Sequence, residues 1–176
     1  MEAAARRDLR LRLVTEILTG EPQEDVFVNA VLQRGVDGEP LARGAYEAFS
    51  GHLVQESGFL SADEMAVGCS LDGHVGNFEG IVEIKCPKSA THLRWLRQDG
   101  VPFEHMPQIT HNLWISGAAW CDFVSWDDRF PPELSLLVRR VCAADLDIDG
   151  YARKAAAFLE EVQTEVAALR GLGVLA

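Results

Sequence analysis

At 176 residues, 48% of them apolar, the chain is long enough for one domain with a substantial core. No apolar run reaches the roughly eighteen residues of a membrane span, and Met1 to Arg12 interleaves Ala with Arg and Asp, so a cytosolic protein without a signal peptide is predicted. A formal charge of −11 rules out polyanion binding through net charge and leaves it to local basic patches: Arg6, Arg7, Arg10 and Arg12, and Lys85, Lys88, Arg94 and Arg97.

In chain order, residues 6–19 read as an amphipathic helix with Leu9, Leu13, Val14, Ile17 and Leu18 on one stripe and Gly20 as its C-cap. A second helical stretch runs from about Glu24 to Phe49 and stops at Gly51, with Gly35, Gly38 and Pro40 expected to interrupt or kink it. Short extended pieces broken by Gly58, Gly68 and Gly73 follow. The clearest strand is Gly80 to Lys85, closed by Cys86-Pro87 because proline cannot donate to a ladder. Helices near 89–98 and 104–117 come next. Strands at Trp120 to Trp126 and Leu134 to Val141 are joined by a turn rich in Asp and Pro. A closing helix spans about Asp147 to Leu169. Helices around a short-stranded mixed sheet make the fold α/β or α+β. Cys69, Cys86, Cys121 and Cys142 form no CxxC pair and read as reduced thiols.

The chemistry concentrates on the central strand. Side chains two apart share a face, so Glu83 and Lys85 point together while Val82 and Ile84 enter the opposite layer. Asp72 sits eleven residues earlier at a glycine-flanked turn, where a hairpin return brings a second carboxylate beside Glu83. With the Ile84 carbonyl these carboxylates supply half the octahedral shell of a Mg²⁺ ion, and Lys85 can orient a nucleophile and stabilise developing charge on a phosphodiester. Taken alone, a Glu-x-Lys string is more often a surface ion pair.

The wider pattern is more specific. Gly68 to Gly73 and Gly80 to Lys88 resemble the core motifs of the lambda-exonuclease-like, or YqaJ viral recombinase, family of the PD-(D/E)xK nuclease superfamily. Arg34-Gly35, Glu39 to Arg43, Tyr46-Glu47 and Ser50-Gly51 resemble its first helical motif. His105 to His111, running on through Leu113-Trp114, resembles its Gln-x-x-(Tyr/His) helix, and Trp120 to Arg129 the strand after it. These ordered elements span roughly residues 12–140.

The resemblance implies a restriction-endonuclease-like core with Asp72, Glu83, the Ile84 carbonyl and Glu39 holding metal, Lys85 as the catalytic lysine, Gln108 holding the attacking water or DNA, and His111 facing the same site. Arg43, Lys88 and Arg94 are the expected DNA contacts. It further implies Mg²⁺, with Mn²⁺ able to substitute, and removal of nucleotides from the 5′ end of linear duplex DNA. The 3′ single strand left behind would serve a single-strand annealing recombinase, in a homo-oligomer that in some members is a trimeric ring. Members usually carry a segment before the first helix with an arginine for the 5′-phosphate. The sequence as read, a single nuclease domain over residues 1–176, does not include it, which leaves three readings open: a true start further upstream, weakened phosphate recognition, or that role taken by Arg43 or by Arg6, Arg7, Arg10 and Arg12. Two other readings compete: an endonuclease or single-strand nuclease on the same core, and a non-catalytic DNA-end or recombinase-binding module. Trp95, Trp114, Trp120 and Trp126 are assigned to packing, and His52, His74, His92 and His105 to ordinary surface or core roles.

Overall fold

The computed structural model describes residues 3–23, 30–62 and 65–173. Its chain divides into two compact units, Met1–Phe27 with Asp149–Ala176, and Val28–Ile148. In the first, α1 (Ala4–Thr19) ends at Gly20 in the left-handed conformation, φ 74°, as its C-cap glycine predicts. It pairs with α6 (Ile148–Gly173) through Val14, Val162 and Val166, which are buried together. The amino-terminal arginines are paired rather than gathered into a patch. Arg6 meets Glu161 at 2.9 Å, Arg10 bonds Glu165, and Arg7 bonds Asp8 at 3.0 Å. Carboxylates about 155 residues away in sequence thus neutralise charge that local reading assigned to phosphate.

The second unit holds a five-stranded mixed sheet. Its strands are β1 (Val54–Gln55), β4 (Gly73–Val75), β5 (Gly80–Lys85), β6 (Trp120–Trp126) and β7 (Leu136–Cys142), in the order β1-β4-β5-β6-β7. Among the described strands of this sheet only β5 and β6 run parallel. A separate hairpin joins β2 (Phe59–Ser61) to β3 (Gly68–Ser70). Alternation along the central strands divides two apolar layers. On one face α2 (Ala30–Ser50) sets Ala42 and Tyr46 against Val82, Ile84 and Val124. On the other, α3 (Ser89–Leu96) and α4 (Met106–Ser116) set Trp95, Ile109 and Leu113 against Ile81, Cys121 and Phe123. Among the described residues no helix is long and apolar enough to cross a membrane.

The strand expected over Gly80 to Lys85 forms with those bounds, because six residues rich in β-branched side chains lie between a tight turn and Pro87. Helix α2 answers one half of an expectation: it is not interrupted at Gly35, Gly38 or Pro40, although Pro40 lacks the amide that would bond Val36. Burial of Ala42 and Tyr46, both fully covered, offsets that loss, and Gly38 is needed for close approach: a Cβ there would lie 2.9 Å from Cys86 Sγ. Residues 24–29, where this helix was expected to begin, lie outside the described residues. The strand expected from Leu134 starts at Leu136, because Pro131 and Pro132 open a short helical turn, α5 (Pro132–Ser135).

Gly80 begins the strand that carries the candidate site. A Cβ there would lie 2.2 Å from the Trp120 ring, which the Arg140 guanidinium covers at 3.7 Å. Gly80→Ala should therefore cost about 1–3 kcal/mol of stability, read as a lower denaturant midpoint at unchanged slope.

Candidate active site

Strand register places the two carboxylates. Gly73 pairs with Val82 in the antiparallel β4–β5 ladder, so one step on Asp72 lies across from Glu83. The connecting turn closes over Gly76 and Phe78, both at φ 59°. Beyond Gly73 strand β4 has ended, and the Asp72 side chain takes its place on the ladder: Oδ2 accepts the Ile84 N–H at 2.6 Å. An extended residue sends its N–H and C=O to the same side, so the Ile84 carbonyl faces this edge too.

Glu83 is 1% exposed and both its oxygens are bonded. Lys85, two residues along on the same face, donates Nζ–H to Oε1. Asn112 of α4, itself buried, donates Nδ2–H to Oε2 at 3.1 Å. Val82 and Ile84 enter the opposite layer, as the alternation requires.

On the far wall α2 supplies Glu39 and Arg43. Arg43 donates to Glu39 Oε1 at 2.9 Å and to the Asp72 carbonyl oxygen at 3.2 Å, and it also pairs with Glu56. A cavity of about 330 Å³ opens among Gly35, Glu39, Asp72, Ile84, Lys85 and Trp95.

Burial pushes the Glu83 carboxyl up to about 7, and neighbouring Asp72 pushes the same way, against the pull of Lys85 and the Asn112 bond. Asp72 is likewise raised by burial, despite Lys85, the Ile84 amide and Arg43. Glu39 rises through burial and the Asp72 charge. Burial alone would lower the Lys85 ammonium, yet Glu83, Asp72 and Glu39 hold it above its ordinary value, so it stays charged at neutral pH. One ammonium therefore serves two carboxylates, Glu83 buried and Asp72 half-buried, that would be more stable with additional positive charge.

A hard divalent cation suits this donor set, in which two carboxylates and a strand carbonyl offer only oxygen. Among the described residues no three His, Cys, Asp or Glu side chains cluster closely enough to cage a metal. Glu39 thus lies on the cavity wall with its oxygen engaged by Arg43, outside the Asp72–Glu83 pair.

The other expected residues divide. Gln108 is exposed on the first turn of α4. Asn112, one turn further along α4, makes the contact to Glu83 that sequence reading missed; its one signal was an amide directly before the apolar Leu113-Trp114-Ile115. His111 bonds the Gly68 carbonyl at 3.1 Å, bracing the strand before Asp72. Lys88 is exposed at the start of α3, beside the cavity-lining Pro87. Arg94 is exposed and paired with Glu104 at 3.3 Å. His92 is a core residue, bonded to Ser125 Oγ at 2.7 Å and the Leu134 carbonyl at 2.8 Å. All four cysteines are free thiols.

Comparison with known proteins gives the family and the fold. The profile of the YqaJ-like viral recombinase domain matches residues 3–119. The crystal structure of an alkaline exonuclease (LHK-Exo) from Laribacter hongkongensis is similar over 100% of this chain and 89% of its own, at 34% identity and TM-score 0.89. The same figures hold for LHK-Exo in complex with dAMP. A phage-related exonuclease from Haemophilus somnus 129PT, 12% identical, shares the fold at TM-score 0.75 over 95% of this chain and 85% of its own. No curated protein matches the sequence. The mixed sheet flanked by helices is thus the restriction-endonuclease-like core that the motifs imply. With the profile covering two thirds of its length and a relative matching it end to end, the chain belongs to the YqaJ-like viral recombinase family.

Proposed function

We propose that this protein is a magnesium-dependent exonuclease that hydrolyses linear double-stranded DNA, proceeding from the 5′ end and leaving a 3′ single strand for an annealing recombinase. The observation that carries the reading is that Asp72 and Lys85 line one cavity with buried Glu83 bonded to Lys85 behind them, in a chain 34% identical to an alkaline exonuclease. Asp72, Glu83 and the Ile84 carbonyl would hold the ion, and the chemistry it supplies when bound is a more acidic water and neutralised phosphate charge.

The chain's own residues do the rest. Asn112 and Lys85 fix the two Glu83 oxygens, so that carboxylate meets its ligand without rearranging. The Ile84 amide fixes Asp72 in the same way. Lys85, 27% exposed at the side chain and charged, can hold a water or a phosphate oxygen at the cavity wall and stabilise charge that grows there.

Incubation with Mg²⁺ of a 5′-phosphorylated linear duplex beside the same DNA as a closed circle tests this reading. Mononucleotides released from the line, with the circle untouched and EDTA abolishing release, are expected. Cutting of the circle would establish an endonuclease instead. Asn112→Ala should lower magnesium affinity or rate about 10–100-fold, as removal of a ligand's hydrogen-bond partner does elsewhere, and a magnesium titration of activity measures it.

A further inference from the structure

The site as described offers oxygen ligands for a cation but little to hold DNA. Arg43, its side chain 14% exposed, is enclosed between Glu39 and Glu56, Arg94 makes a single 3.3 Å contact with exposed Glu104 that does not fix it, and the amino-terminal arginines belong to the other unit. In a chain of charge −11, a duplex approaching two carboxylates needs a fixed cation close by.

One lies just past the carboxyl end of β6, parallel neighbour of the catalytic strand. Asp127 is fully buried there, and its carboxylate takes Arg129 in a two-pronged grip, Nε to Oδ1 and Nη2 to Oδ2, each 2.7 Å. The Arg129 backbone amide bonds the same Oδ1 at 3.1 Å, and Arg34 of α2 adds a second guanidinium at 3.1 Å. Arg129 is therefore held rigidly, yet its side chain remains 48% exposed. Its Nη2 lies 3.5 Å from the carbonyl oxygen of Pro87, which lines the catalytic cavity and precedes exposed Lys88.

We propose that Arg129, oriented by Asp127, forms with Lys88 a phosphate-binding subsite beside the catalytic cavity, gripping the DNA backbone next to the scissile linkage. A guanidinium already held on two edges loses little freedom when its remaining N–H groups meet a phosphate oxygen. The inference rests on the DNA-processing reading of the chain, but it concerns binding and not hydrolysis.

Arg140 provides a matched control. It grips buried Asp122 in the same two-pronged way, at 2.8 and 2.8 Å, and is 44% exposed, but it packs over Trp120, at the opposite end of β6 from the cavity. Binding of a fluorescent linear duplex is measured by anisotropy across salt concentrations, in EDTA so that hydrolysis does not enter. Arg129→Gln should weaken binding about tenfold near 0.1 M salt and reduce the slope of log affinity against log salt by about 1, the loss of one phosphate contact, whereas Arg140→Gln should leave the slope unchanged. An unchanged slope in a folded Arg129→Gln protein, or equal losses in both variants, would overturn the proposal. Should Arg129→Gln not fold, arginine-specific labelling of the wild type decides: duplex should shield Arg129 and not Arg140, and equal labelling overturns it. Hydrolysis with a normal slope would refute this subsite alone, and a reduced slope without any hydrolysis in Mg²⁺ would refute the nuclease reading alone.

Discussion

Lys85→Ala should lower the rate of DNA hydrolysis on the order of 10²–10³-fold, the usual effect of removing one fixed charge that stabilises a developing anion. A second loss reinforces it. Lys85 is the cation bonded to Glu83, and without it the buried Glu83 and Asp72 face each other with less compensation, driving Glu83 toward its protonated form at neutral pH. Lys85→Arg should rescue little, because a planar fork cannot occupy the place of a compact ammonium beside a carboxylate that is 1% exposed. Duplex binding in EDTA should survive both substitutions. Single-turnover rates, measured beside binding, separate the effects, and wild-type rates in Lys85→Ala would remove this residue from the chemistry.

Without divalent metal the protein should lose stability as pH rises from about 4.5 toward 7. The folded-state carboxyl of Glu83 stands at about 7 against an ordinary 4.5, so the folded chain binds more protons than the unfolded chain across that window. Stability from that excess is present at low pH and is lost as pH climbs through the folded value. Across the interval from 4.5 to about 7, at about 1.4 kcal/mol per pH unit, the loss is on the order of 3 kcal/mol. The raised carboxyl of Asp72 adds in the same direction. If Mg²⁺ is held by this pair as proposed, it meets the deprotonated form, so its stabilisation should be larger at pH 7.5 than at pH 5. Melting temperatures at both pH values, in EDTA and in Mg²⁺, measure this. Glu83→Gln should flatten the dependence in EDTA and remove most of the magnesium response; an equal magnesium shift in wild type and Glu83→Gln would place the ion elsewhere.

Much of this site was legible before any coordinates. Strand β5 announces itself because local propensity, alternation and the flanking Gly80 and Pro87 all agree, and the two-residue period alone puts Glu83 and Lys85 on one face. Asp72 was legible because a short return from its turn leaves few registers, and the observed one sets it across from Glu83. What escaped depends on distant partners. Helix α2 runs through Gly35, Gly38 and Pro40 because Gly38 is packed against Cys86, almost fifty residues on. The basic run Arg6 to Arg12 reads as a patch until α6 brings Glu161 and Glu165 against it. Asn112 carries no signature beyond an amide in an apolar helix, and Arg129 resembles any turn residue until Asp127 is seen to be buried beneath it. Gln108, legible by motif, is exposed on the first turn of α4.

A crystal soaked in Mn²⁺ and measured at the manganese absorption edge tests the cation centre most directly. Anomalous density should appear between the Asp72 and Glu83 carboxylates, against the Ile84 carbonyl, and vanish in Glu83→Gln crystals. Density only at other acidic positions, with none between these two side chains, would contradict a metal-dependent hydrolytic centre built on this strand.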